Sequence, residues 1–154
     1  MARDVMPRIV KERPDVRFQI VGRNPGPGVS ALTELPHVEV HANVPDVGVY
    51  LEQASMLAVP LDSGGGTRLK ILEAFAAGLP VVSTVVGCEG IDCRHGEHLW
   101  VTERDQFAEG LLEAIEAPEL ATEFAERGSQ LAEEAYDRSA IGKLACTAVA
   151  EAVR

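Results

Sequence analysis

The residues best suited to chemistry stand together in one short run. Ser63 to Thr84 reads SGGGTRLKILEAFAAGLPVVST, with three glycines, then Thr67, Arg68, Lys70 and Glu73, then small residues running into a valine strand. A helix opening behind such a turn presents unpaired amides and the positive end of its dipole, which together attract anions. Glycines such as Gly65 and Gly66 let that backbone come close to a ligand. Arg68 and Lys70 add full positive charges, so the site suits a diphosphate. Glu73, one turn deeper, can accept hydrogen bonds from hydroxyls beside those phosphates, as on a ribose. On a wheel of about 100° per residue, Ile71, Phe75, Leu72, Ala76 and Leu69 share the core arc. Thr67, Lys70, Glu73, Ala74 and Ala77 share the other. Arg68 projects on the apolar side, where its stem can lie on core residues while its head passes the helix start. The plainer alternative makes Lys70 and Glu73 an i,i+3 surface pair and the glycines a mere loop. The run is neither G-x-x-x-x-G-K-[ST] nor G-x-G-x-x-G, since Leu69 stands where the last glycine would be.

Helices and strands alternate around this run. Apolar spacing at Val5, Met6, Ile9 and Val10 predicts a helix over 2–13, with Pro7 tolerated in its first turn. Val16 to Gly22 alternates like a strand and ends in a Gly/Pro-rich loop beginning at Arg23. Short strands are expected over 37–41, 55–61, 80–84 and 98–102. A helix follows Asp46, a plausible N-cap, and another spans Thr67 to Ala77 with Gly78 as its stop. From Asp105 onward the chain reads as three helices. Strands separated by helices predict an α/β fold with a parallel sheet covered on both faces. Ligands in such folds sit beyond the carboxyl ends of the strands, where the glycine turn falls.

The 154 residues suffice for one domain with a core. A net charge of −10 argues against nucleic-acid or anionic-membrane partners, which require clustered cations. No apolar run reaches the roughly 18 residues of a membrane span, and the first residues are not a signal peptide. Cys88, Cys93 and Cys146 form no C-x-x-C pair, so a reduced compartment, the cytoplasm, is the simplest reading. Peripheral membrane association stays open for a longer chain. No metal site is expected, and His95 and His98 read as a solvated loop pair.

With these residues in hand, PLDSGGGTRLKILEAFAAGLPVVSTVVGCEGI resembles the donor-binding motif of retaining glycosyltransferases of the GT-B fold, the group-1 class. The likeness continues in order through RFQIVGRNP, VPDVGVYLEQASMLAVPL and HGEHLWVTERDQFAEGLLEAI. The resemblance implies a Rossmann-like, C-terminal half of a GT-B enzyme, ending in C-terminal helices, that binds a UDP- or GDP-linked sugar without a cofactor or metal. By position, Glu73 matches the carboxylate on the nucleotide ribose, and Arg68 and Lys70 match basic groups beside the diphosphate. Gly65, Gly66 and Thr67 lie where backbone approaches the sugar or phosphate. Gly87, Glu89 and Gly90 match a G-x-E-G loop near the donor, and Gly22 and Arg23 end the strand facing the base. A carboxylate common in the class eight positions before the match to Glu73 is here Gly65, which leaves the sugar open.

The resemblance also implies an N-terminal acceptor domain and a first central strand, neither of which is expected within this chain. Catalysis by the chain alone is therefore not expected, and a non-catalytic nucleotide-sugar binding module is the alternative. A dinucleotide dehydrogenase domain fits worse, for want of the glycine fingerprint and its later acidic residue. Without the central strand, Val16–Gly22 and 55–61 would each keep an open flank, and the apolar face of Ala140, Ile141, Leu144, Ala148 and Val149 would lack a partner, which predicts self-association.

Overall fold

In the computed structural model, residues 1–137 are described. The expected last helix, with Ala140, Ile141, Leu144, Ala148 and Val149, lies outside them. The elements run α1 (Met6–Glu12), β1 (Phe18–Gly22), α2 (Pro27–Ser30), β2 (Val38–Ala42), α3 (Gly48–Gln53), β3 (Leu57–Val59), α4 (Leu69–Ala76), β4 (Val81–Thr84), β5 (Trp100–Thr102), α5 (Phe107–Glu116) and α6 (Pro118–Leu131). Short 3-10 turns cover Ala31–Glu34, Val86–Cys88 and Arg104–Gln106.

All strand pairs are parallel, as helical crossovers require. They form two pieces rather than one sheet: β1 pairs β2, with Phe18 opposite Val38, and β4 lies between β3 and β5. No ladder joins β1 to β3 among the described residues. The parallel arrangement is as expected, and the flanks of β1 and β3 foreseen as open carry no ladder among the described residues.

Side-chain alternation builds two cores on the three-stranded piece. Val82 and Trp100 point to the face covered by Val5, Ile9, Phe107, Leu111 and Phe124. Their strand neighbours Val81 and Val101, with Val59, point to the face covered by Ile71, Ala74 and Phe75 of α4. Trp100 stacks obliquely on Phe124, with ring centroids 4.5 Å apart. Helix α6 serves both faces. Its Ala121 and Phe124 join the first core, while Gly128 lies against the Phe75 ring and Leu131, with Ala132 just past the helix end, joins the second.

Element ends follow local chemistry. Pro7 sits in the first turn of α1, where its missing N–H costs nothing. The Val16 amide donates to the Arg13 carbonyl at 3.2 Å, a turn that delays β1 to Phe18. Asp46 Oδ1 accepts the Gly48 amide at 2.8 Å, although the residue at the cap of α3 is Val47. Gly78, at φ +66°, closes α4: its amide donates to the Phe75 carbonyl and the Leu79 amide to that of Ala74.

The core face of α4 differs from the wheel at Leu69, Ala74 and Ala76, the last of which is exposed. Ala74 is fully buried and Leu69 is 58% exposed. The helix packs tightly against β3, β4 and α6, and there the small residue fits.

Candidate functional site

The glycine turn leaves β3 through Pro60 to Asp62 and enters α4. Gly64 (φ +148°) and Gly66 (φ +90°) hold conformations that side-chain-bearing residues rarely adopt. Gly65 does not, and nothing lies within 4 Å of where its Cβ would be. The helix starts at Leu69, two residues later than expected, with Arg68 at its cap.

Arg68 departs from its expected posture. Only 5% of it is exposed. Its guanidinium folds back on the turn, donating from Nη2 to the Gly64 carbonyl at 2.9 Å and from Nη1 to that of Gly65 at 3.3 Å. Nη2 also lies 3.7 Å from Glu89 Oε2, while Nε is buried with no partner among the described residues. A cation so placed braces the turn and brings positive charge under it.

Lys70 and Glu73 lie exposed on α4, and neither side chain has a hydrogen bond or ion pair among the described residues. The i,i+3 surface pair is not formed. Both groups are free to meet something else.

The loop after β4 is fastened to the glycine turn by a residue the sequence reading passed over. Thr84 Oγ1 donates to the Leu61 carbonyl at 2.6 Å and accepts the Gly87 amide at 3.1 Å. Gly87 is required by crowding: a Cβ there would stand 2.3 Å from Ser83 Oγ and 2.7 Å from the Val59 carbonyl. The only sequence signal was a Ser-Thr pair ending a valine strand. From Cys88 the chain reverses in a type II turn, with Glu89 (φ −54°, ψ 132°) then Gly90 (φ +84°), and the Ile91 amide donates to the Cys88 carbonyl at 3.2 Å. That reversal presents Glu89 to Arg68 and brings the Cys93 and Cys88 thiols within each other's electrostatic reach.

The thiol pair is electrically uneven. The neighbouring Cys93 thiol is the main cause that lowers Cys88 to about 7, with smaller help from Ser83 and the Arg68 charge. The Cys88 thiol in turn, then burial, raises Cys93. His95 and His98 are not simply solvated: His95 Nδ1 accepts the Val101 amide at 3.0 Å and His98 Nδ1 accepts the Arg94 amide at 3.2 Å.

The structure therefore brings Gly64 to Gly66, Arg68, Gly87, Glu89 and Gly90 together, with Lys70 and Glu73 further along the same helix. Gly22 is the last residue of β1, in the other sheet piece, and Arg23 follows it; the Gly22 carbonyl accepts the Asn43 amide at 2.8 Å and Arg23 is exposed. A cleft of about 340 Å³ between β5 and α5, lined by Trp100, Glu103 and Glu109 among others, contains none of the candidates. Among the described residues no helix is long and apolar enough to cross a membrane, and no cluster of His, Cys, Asp and Glu is placed to hold a metal.

Residues 1–117 match the family described as Glycosyl transferases group 1. The chain belongs to the group 1 glycosyltransferases. A 44.6 kDa protein from the cps region of Klebsiella pneumoniae is 30% identical over 104 residues, which are 62% of this chain and 26% of that protein. HepE from Anabaena, solved with UDP and glucose, superposes with a TM-score of 0.77 at 17% identity, over 95% of this chain and 43% of HepE. Sucrose-phosphate synthase from Thermosynechococcus elongatus gives 0.73 at 18% identity, over 96% of this chain and 42% of the enzyme. This group 1 chain spans about a quarter of its curated relative and under half of either enzyme structure. Its fold is the Rossmann-like α/β unit of GT-B glycosyltransferases, with helices on both faces.

Proposed function

We propose that this domain binds the nucleotide-sugar donor of a retaining glycosyltransferase, and that transfer needs a separate acceptor-binding domain. The observation that carries the reading is Arg68. A guanidinium buried beneath two positive-φ glycines, at the start of a helix and with one N–H unpartnered, is a costly arrangement that an anion above the turn would repay.

A diphosphate lies on the free amides of the first turn of α4, over Gly65 and Gly66. Arg68 supplies charge from below and Lys70 from the helix surface. As the bond from sugar to diphosphate breaks, negative charge grows on the departing oxygen, and these preorganised donors stabilise it more than the ground state. Glu73, three residues beyond Lys70, accepts hydrogen bonds from the ribose hydroxyls. Glu89 and Gly90 border the sugar side of the turn, and Gly22 and Arg23 border the base. The charge of the leaving group is thus met by side chains and helix dipole. HepE, with which this chain shares its fold, has been crystallised with UDP-glucose, which supports a UDP-linked sugar as the first donor to try.

Calorimetry with UDP, GDP, ADP and uridine, with and without EDTA, tests the reading. At least one diphosphate should bind in EDTA, and uridine should bind more weakly than UDP. Failure of every nucleoside diphosphate to bind would overturn the donor-site assignment.

A further inference from the structure

On either side of the Glu89 turn of the proposed donor site stands a pair of thiols that nucleotide binding does not use. Cys88 and Cys93 are both free and half-buried, and each lies close enough to shift the other's titration. They are five residues apart, but the type II turn at Glu89 and Gly90 folds the chain back on itself between them. Two contacts hold that fold-back. Cys88 Sγ donates to the Val85 carbonyl at 3.5 Å, and the Asp92 amide donates to Tyr136 Oη at 2.8 Å. Both thiols pack against the α4 core beside Ile91.

We propose that Cys88 and Cys93 are a peroxide-responsive pair that closes into a disulfide across the Glu89 turn. Their roles are divided by their surroundings. Cys88 is the attacking sulfur: the Cys93 thiol, Ser83 and Arg68 all favour its thiolate. Cys93 stays protonated beside it, with Asp92 adding to that preference, and is the resolving thiol. The Cys88 thiolate attacks one oxygen of a hydroperoxide such as hydrogen peroxide. The O–O bond breaks, Cys88 becomes a sulfenic acid, and the departing hydroxide takes a proton to leave as water. The Cys93 sulfur then attacks the sulfenic sulfur, the S–S bond forms, and the hydroxyl leaves with the Cys93 proton as a second water. Two thiols lose two electrons in all, and one peroxide becomes two waters.

The disulfide would also remove the negative charge that the Cys88 thiolate places near Arg68. An anion on the glycine turn should then bind more tightly. This consequence rests on the donor-site reading, whereas the thiol chemistry does not.

The chain should be reduced, freed of reductant and treated with one equivalent of hydrogen peroxide, in a Cys146→Ser background so that only this pair reports. Trypsin releases residues 71–94 as one peptide holding both cysteines. The expected result is loss of two hydrogens from that peptide, reversed by reductant, in monomeric protein. Cys93→Ser should stop at a sulfenic acid on Cys88 that dimedone traps, and Cys88→Ser should give no such adduct on Cys93. Disulfides formed only between molecules, or dimedone labelling of Cys93 in preference to Cys88, would overturn the proposal. UDP affinity is then compared in the reduced and oxidised forms. Tighter binding when oxidised supports the charge argument, and equal or weaker binding overturns that part. If neither form binds UDP, GDP or ADP the donor reading fails, and the peptide masses still decide the thiol chemistry.

Discussion

Replacing Arg68 by Met separates two jobs that one guanidinium performs. The substitution keeps most of the buried stem and removes the charge. Lost first are the two hydrogen bonds to the Gly64 and Gly65 carbonyls, at 2.9 and 3.3 Å. Bonds to a charged donor are worth roughly 1.5–3 kcal/mol each. Here the low end applies, because the second is long and both glycines are exposed, so water can replace the donor. The 3.7 Å contact with Glu89 adds little, since that carboxylate is 73% exposed and screened. On the other side, the unpartnered Nε disappears, and an orphaned buried donor costs roughly 1–3 kcal/mol. The difference is a destabilisation of about 1 kcal/mol, which lowers Tm by only about 2–4 °C for a domain of this size. Diphosphate binding should suffer more. Loss of one charge-assisted contact predicts at least about a ten-fold weaker Kd for UDP with uridine little changed. A thermal melt and paired titrations with UDP and uridine measure both effects. A fall in Tm well beyond 10 °C would show that the guanidinium holds the core. An unchanged Kd for UDP would show that it never meets the phosphates.

Other expectations follow the same geometry. Gly65→Ala should leave the melt unchanged, as its Cβ meets open space, yet weaken UDP if the backbone approaches the ligand; Gly66→Ala, at φ +90°, should cost about 1–2 kcal/mol by denaturant unfolding. Gly128→Ala would put a Cβ 2.5 Å from the buried Phe75 ring; overpacking of about 1–3 kcal/mol should outweigh a gain of about 1 kcal/mol in helix propensity, and an unchanged or higher Tm would contradict the packing. Alkylation of Cys88 by iodoacetamide should rise with pH through about 7, because its thiolate is favoured, whereas an ordinary thiol responds near about 8.5. The unpaired flanks of β1 and β3 should recruit a second copy, so sedimentation at high micromolar concentration should show a species larger than the 16.5 kDa monomer.

Much of this was legible in the residues. The order of helices and parallel strands followed from alternating periodicities, and Gly78 closed α4 where a left-handed residue was needed. What stayed hidden depended on contacts distant in sequence. The wheel put Leu69 on the core arc and Ala74 on the other, and the tight seat of α4 reversed them. Arg68 was correctly put on the apolar side, but its head turned inward because two carbonyls of its own turn were nearer than solvent. Thr84 carried no pattern of its own; its importance comes from Leu61, brought close by the pairing of β3 and β4. The thiol pair was hidden for the same reason, since a spacing of five residues implies proximity only once Glu89 and Gly90 are known to reverse the chain.

Helix α6 has a consequence for how the domain comes apart. Because Phe124 is anchored on one face of the strands and Gly128 against Phe75 on the other, neither core can open without stripping part of the same helix. The two faces should therefore lose their amide protection together, as a single cooperative unit in hydrogen exchange. Phe75 lies only two residues beyond Glu73. A ligand that stills the outer face of α4 would thus slow exchange on the far side of the sheet, at α5, without touching it.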